Sequence, residues 1–180
     1  IEAASDLAGT LLRFGRLDGI AERLADVADR AVAARGADHP LLRILTDREA
    51  KLAFDRGRPA EAEAPLRRLL ELDTKAGRVD AQIQTLGNLA QVLLGRSALD
   101  EALELARRAE ELSRRTHGPK HPLTLSSVRK LATVQSTRGD QAAAVALLEP
   151  ALPSALEKLG EDHPETLGLQ NALARALELR

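Results

Sequence analysis

The 180-residue chain contains no Cys, Met, Trp or Tyr, and its only aromatic side chains besides His are two Phe. Without Cys, neither a disulfide framework nor a thiolate metal site can form. Residues of the hydrophobic class make up 44% of the chain and aromatic ones 1%, so the interior must be built from Leu, Ala, Val and Ile. Such a composition favours helices packed at close range. An excess of one charge is also missing: 26 Lys and Arg stand against 27 Asp and Glu, a net of −1. That balance gives no electrostatic footprint for nucleic acid. No apolar run approaches the roughly 18 residues of a membrane span, and no basic-then-apolar leader opens the chain. The expectation is a cytoplasmic protein. Because Met is absent even at position 1, the chain reads as a processed or excised piece of a longer one.

What is present is a repeat. The segment from His121-Pro122 to His163-Pro164 contains two helix-like stretches, and the rest of the chain restates it. Three markers align the units: a Leu-Ala step, a Gly, and an Ala beyond it. They are Leu131-Ala132, Gly139 and Ala144 in this unit, Leu7-Ala8, Gly15 and Ile20 in the first, and Leu89-Ala90, Ser97 and Ala102 in the third. The second unit is the most divergent, with Glu49-Ala50, Gly57 and Ala62, and the last offers only Leu173-Ala174. Unit starts at His39, Val79, His121 and His163 are spaced by 40, 42 and 42 residues. A fixed period of this size indicates a solenoid.

Each unit reads as a helix pair. Leu125, Val128, Leu131, Ala132 and Gln135 recur at helical spacing. Pro122 suits a first helical turn, Gly139 suits the reversal after a helix, and Ala144, Leu147, Leu148 and Ala151 carry the second helix. Small Ala62, Ala102 and Ala144 permit close helix crossing. Helices are expected near 1–14, 17–35, 40–56, 59–75, 80–95, 98–116, 122–138, 141–158 and 164–179, nine in all. The predicted fold is all-α, a single array over 1–180 with units 1–38, 39–78, 79–120, 121–162 and a half-unit 163–180.

The Leu-Ala, Gly and Ala spacing, with Gly36-Ala37-Asp38-His39-Pro40, Gly160-Glu161-Asp162-His163-Pro164 and Asn88-Leu89-Ala90, resembles the tetratricopeptide repeat. More closely, it resembles the variant of about 42 residues found in kinesin light chains and many bacterial proteins. It departs from that pattern at Val79-Asp80, Glu49 and Ser97. HEAT-type repeats have a similar period, but the Gly-then-Ala spacing favours the tetratricopeptide reading.

The resemblance implies a right-handed superhelix whose first helices line a concave groove for an extended or helical peptide. Carried over position by position, groove residues are Asp6 and Arg13, then Asp47, Arg48, Lys51 and Asp55, then Gln84, Asn88 and Gln91. Ser126, Arg129, Lys130 and Thr133 follow, and finally Asn171 and Arg175. Among these, Arg48, Lys51, Asn88, Gln91, Arg129, Lys130, Thr133, Asn171 and Arg175 are the candidate peptide-binding set. Cations and amides of this kind suit an acidic peptide or a free C-terminal carboxylate. Expected partners are therefore proteins or peptides, with no cofactor, metal, nucleic acid or membrane. The chain is read as a non-catalytic interaction module of a bacterial signalling or regulatory protein. The competing reading is self-association, or docking onto a catalytic domain of the same parent protein.

Other features carry less weight. His39, His121 and His163 recur one per unit, too far apart for one zinc ion, and are expected to start helices. Ser127-x-x-Lys130 matches one acylating motif but lacks its companions. Glu49 replaces a Leu, and the helix is expected to bury Leu45 and Leu52 while Glu49 reaches solvent. The run from Glu104 to Arg115 holds i,i+4 pairs of a solvated face. Pro150 and Pro153 fall inside a second helix, where a kink or break near 148–153 is expected, sharper than at Pro65.

Overall fold

A computed structural model describes residues 40–179, without the side chains of residues 40–42, 54 and 55. Seven helices and no strand occur among the described residues: α1 (Pro40–Asp55), α2 (Pro59–Lys75), α3 (Val79–Gly95), α4 (Leu99–His117), α5 (Pro122–Thr137), α6 (Gln141–Leu159) and α7 (Pro164–Glu178). Each bound lies within one residue of the sequence expectation. The helices expected near 1–14 and 17–35, with Asp6 and Arg13, lie outside the described residues, as does the side chain of Asp55.

The chain divides into two compact units, Ile1–Gly77 and Arg78–Arg180. In the first, α1 packs on α2. Leu45, Ala50 and Leu52 of α1 and Ala62, Leu66 and Leu69 of α2 form its described core. Leu45 and Leu52 are buried as expected, and Glu49 is half-buried. Arg43 Nε donates to the carboxylate of Asp73 at 3.0 Å, so a fully buried acid is met by a cation from the partner helix. Buried charge is tolerable only with such a partner.

In the second unit α3 packs on α4, α5 on α6, and α6 on α7, while α4 packs on α5. The first helices also pack side by side, α3 on α5 and α5 on α7. The core is aliphatic throughout: Leu125, Val128, Ala132, Ala144, Val145, Leu148, Ala151, Ala155, Leu169 and Ala176 form one cluster. Ala62, Ala102 and Ala144 have no exposed surface, consistent with close crossing at each pair. Leu89-Ala90 and Leu131-Ala132 are buried, whereas Leu173 is half-buried and Ala174 exposed.

The turns within pairs share one geometry. Gly57, Ser97 and Gly139 occupy the left-handed region, at φ of +68°, +61° and +88°. The next residue's N–H returns to the carbonyl five residues back: Arg58 to Ala53, Ala98 to Leu93 and Asp140 to Gln135. This bond belongs to the Schellman motif that closes helix C-termini. Ser97 therefore holds a conformation suited to glycine, and the repeat's geometry overrides the residue's preference.

The recurrent histidines begin the next helix. His121 Nδ1 accepts the N–H of Leu123 at 3.2 Å, and His163 Nδ1 accepts that of Glu165 at 3.1 Å. Each ring satisfies an orphan donor of the first turn, beside a Pro whose missing N–H costs nothing there.

Of the kink or break expected near 148–153, the break does not occur: α6 runs continuously from Gln141 to Leu159 through both prolines. Pro150 and Pro153 leave the carbonyls of Ala146 and Glu149 without helical donors. All four residues are exposed, so water can satisfy those carbonyls. On the opposite face Leu148, Ala151 and Ala155 are buried and keep the helix on the core.

Candidate functional site

The side-by-side first helices of the second unit carry most of the expected groove residues. Between α5 and α7, with Gln91 of α3 at its edge, lies an open hollow of about 410 Å³. Arg129, Ala132, Thr133, Ser136 and Thr137 line it from α5. Gly168, Asn171, Ala172 and Arg175 line it from α7, and Leu179 follows that helix. Five of the sequence-derived candidates thus converge: Gln91, Arg129, Thr133, Asn171 and Arg175.

Its charges are unequal. Arg129 is held by Glu165: Nε donates to one carboxylate oxygen at 2.6 Å and a terminal nitrogen to the other at 3.3 Å. The fork fixes the guanidinium across α7, where a Cβ added at Gly168 would meet Arg129 Cδ and Nε at 3.0 Å. Gly168 makes room for the crossing cation. Arg175 is exposed, and no ion pair involving it occurs among the described residues. Since Glu165 offsets Arg129, Arg175 supplies the hollow's net positive charge.

Lys130 points the other way, onto α3. Its Nζ donates to Asn88 Oδ1 at 2.8 Å, and a Cβ added at Gly87 would meet Lys130 Cδ at 2.8 Å. Burial, with Arg129 adding and Glu165 opposing, lowers the Lys130 pKa from 10.5 to about 8. Asn88 and Lys130 are therefore half-buried partners of one another and do not line the hollow. Arg48 and Lys51 are exposed on α1 of the first unit, as is Asp47. Gln84 is exposed and Ser126 half-buried in the second.

The sequence reading missed Glu165, Ser136, Thr137 and Gly168. Glu165 is 36 residues from Arg129, and such a pair has no local signature. The glycines inside two otherwise regular helices, Gly87 and Gly168, were the available signal of a close approach.

The remaining features prove structural. Ser127 donates to the Leu123 carbonyl at 2.9 Å, so neither member of the Ser-x-x-Lys match faces the other's polar atom. His117 stacks on His121 with ring centres 4.2 Å apart and lies 2.7 Å from an Asp80 carboxylate oxygen. No group of three metal-binding side chains occurs among the described residues, and no described helix is long and apolar enough to cross a membrane. Glu110 pairs with Arg114 one turn on, at 2.6 Å.

Residues 81–157 match the family model described as tetratricopeptide repeat. Among solved structures, the chain is similar to nearly identical TPR-like repeats assigned to a kinesin light chain of Podosopora anserina. The TM-score is 0.79 at 24% identity, covering 99% of this chain and 85% of that one. A point variant of that protein gives a TM-score of 0.81 at the same identity and coverage. BtubC (BKLC) from P. vanneervenii is similar at a TM-score of 0.66 and 18% identity, covering 92% of this chain and 72% of that one. No curated protein sequence matches the chain. Residues 81–157 thus carry tetratricopeptide repeats, and the paired helices, Schellman turns and 42-residue period give the chain a fold similar to that of kinesin-light-chain repeats.

Proposed function

We propose that the chain is a non-catalytic scaffold that binds a protein partner through a peptide segment held in the hollow between α5 and α7. One observation carries this reading: two arginines and two side-chain amides converge on an open concavity that, among the described residues, no acidic side chain lines. Arg175 is the anchor for a carboxylate, either an Asp or Glu side chain or a free C-terminus, and Arg129 adds to the field. Asn171 and Gln91 offer both a donor and an acceptor to a peptide backbone. Arg48 and Lys51, exposed on α1, are separate candidate contacts of the first unit. A bacterial signalling or regulatory parent protein, working in the cytoplasm, fits the Ala-, Leu- and Arg-rich composition.

The test is fluorescence anisotropy with labelled peptides ending in Asp or Glu, and their amidated forms, against the wild type, Arg175→Glu and Arg48→Glu. Arg175→Glu should weaken binding at least about tenfold, the scale of one lost charge-assisted contact. Equal affinity for all forms would refute the assignment.

A second reading, self-association or docking onto another domain, is favoured by exposed Leu167, Leu177 and Leu179 on and just after α7. Light scattering across concentration separates the two. A monomer supports the peptide-binding reading, while a concentration-dependent dimer abolished by Leu177→Lys supports the second.

A further inference from the structure

The chain has five lysines, and Lys51, Lys75, Lys120 and Lys158 are exposed, whereas Lys130 is half-buried. Its stem lies on the bare backbone of α3, where a Cβ added at Gly87 would meet Cδ at 2.8 Å and Nζ at 3.0 Å. Nζ donates to Asn88 Oδ1 at 2.8 Å, and among the described residues no carboxylate lies within ion-pair distance of it. The Glu165 carboxylate, whose charge does reach Lys130, is already forked onto Arg129. In a chain with 27 acidic residues, this lysine is folded onto an amide instead of an acid.

An amide oxygen asks for one N–H, so an ammonium and a neutral amine serve it alike. Burial favours the neutral amine, and the neighbouring Arg129 cation acts in the same direction. With the pKa lowered to about 8, roughly a quarter of the amine is neutral at about pH 7.5, against about a thousandth at the ordinary 10.5. One N–H stays on Asn88, and half exposure leaves the lone pair open to a small electrophile.

We infer that Lys130 is an acylation site, fixed on Gly87 and Asn88 so that its amine takes a small acyl group from a thioester. The Nζ lone pair attacks the thioester carbonyl carbon, a C–N bond forms and the C–S bond breaks. The sulfur leaves with the bonding pair and takes up the proton that Nζ loses, giving an amide and a thiol. The amide is neutral, and its remaining N–H can stay on Asn88 Oδ1. The cost of holding a charge in partial burial disappears with the ammonium. Carbon dioxide would instead leave a carbamate anion near the Glu165 carboxylate, with Arg129 already engaged. Acylation is independent of the peptide-binding reading, since neither Lys130 nor Asn88 lines the hollow.

The experiment incubates the full chain with S-acetyl-N-acetylcysteamine and follows acetylation of all five lysines by peptide mass spectrometry. The four exposed lysines are internal controls. Lys130 should react at least about tenfold faster than any of them near pH 7.5, and its rate should level off above pH 8, where an ordinary lysine still gains. Asn88→Asp puts a carboxylate at the same atom and holds the ammonium, so it should slow Lys130 at least about fivefold while the controls are unchanged. Circular dichroism shows whether that variant is folded. The wild type unfolded in urea needs no variant, and there the preference for Lys130 should vanish.

If Lys130 in the folded chain reacts no faster than the exposed lysines, the inference is overturned. A preference that survives urea overturns it as well, because local sequence and not the α3 seat would then be its cause. So does a folded Asn88→Asp chain in which Lys130 reacts as fast as in the wild type.

Discussion

Replacing Lys130 with Met should stabilise the protein at neutral pH, although it deletes a cation and a hydrogen bond. Lys130 lies against Gly87 with its ammonium on Asn88 Oδ1, and burial lowers its pKa from 10.5 to about 8. At about 1.4 kcal/mol per pH unit, the charged form is roughly 3 kcal/mol less favourable there than in water. Met fills a similar volume without that penalty but loses the Asn88 contact, worth about 1–1.5 kcal/mol. A net gain of about 1–2 kcal/mol at pH 7 follows.

The pH dependence has a definite sign. Between pH 8 and 10.5 the unfolded chain holds the Lys130 proton and the folded chain does not, so wild-type stability rises with pH across that window. Below pH 8 both states are protonated and the burial cost is undiminished. From pH 7 to pH 10 the wild type should therefore gain about 2 kcal/mol relative to Lys130→Met. The window is unusually clear, because the chain has no Tyr or Cys to titrate in it. Urea denaturation of both proteins at pH 7 and pH 10, followed by circular dichroism, measures the difference. A variant less stable than wild type at pH 7, or a gap that does not change with pH, would refute the reasoning.

Other consequences are local. Ser97→Gly should stabilise by about 0.5–1 kcal/mol, because the residue sits at φ +61° where glycine is unstrained; an unchanged melting temperature would contradict this. Thr124 donates to the Gly118 carbonyl at 2.8 Å and must therefore accept from Ser113, also at 2.8 Å, with both side chains fully buried. Thr124→Val, which leaves the Ser113 hydroxyl without its acceptor, should cost about 2–3 kcal/mol, and Ser113→Ala only about 1. Denaturation of the two variants gives the order, and a reversed order would mean the bonds run the other way. His163→Ala should cost about 1 kcal/mol through loss of the α7 cap, and His163→Asn should recover most of it. Hydrogen exchange at Glu165 checks whether the loss is local to that first turn.

Much of the fold was legible because helical periodicity and turn chemistry are local. Pro122 and Pro164 mark helix starts, Gly57 and Gly139 mark reversals, and the buried Ala at 62, 102 and 144 recurs with the period. The α6 prolines do not break the helix as the energetic rule for interior proline would allow, because that rule assumes that the freed carbonyls go unmet. Whether they face water depends on which side of the helix packs, and a single segment read alone does not reveal that.

The candidate site divides along the same line. Sequence by itself determined which positions belong to first helices and which of those are polar, since both follow from a repeat whose phase is carried by neighbouring residues. Only the tertiary structure decided how those polar groups are used. It turned Lys130 onto Asn88, tied Arg129 to Glu165, and left Arg175 exposed at a hollow that Thr133, Ser136 and Thr137 also line. The physical reason is range. Helix formation and capping act over a few residues, whereas these pairings join side chains 36 and 42 residues apart, and packing sets their partners.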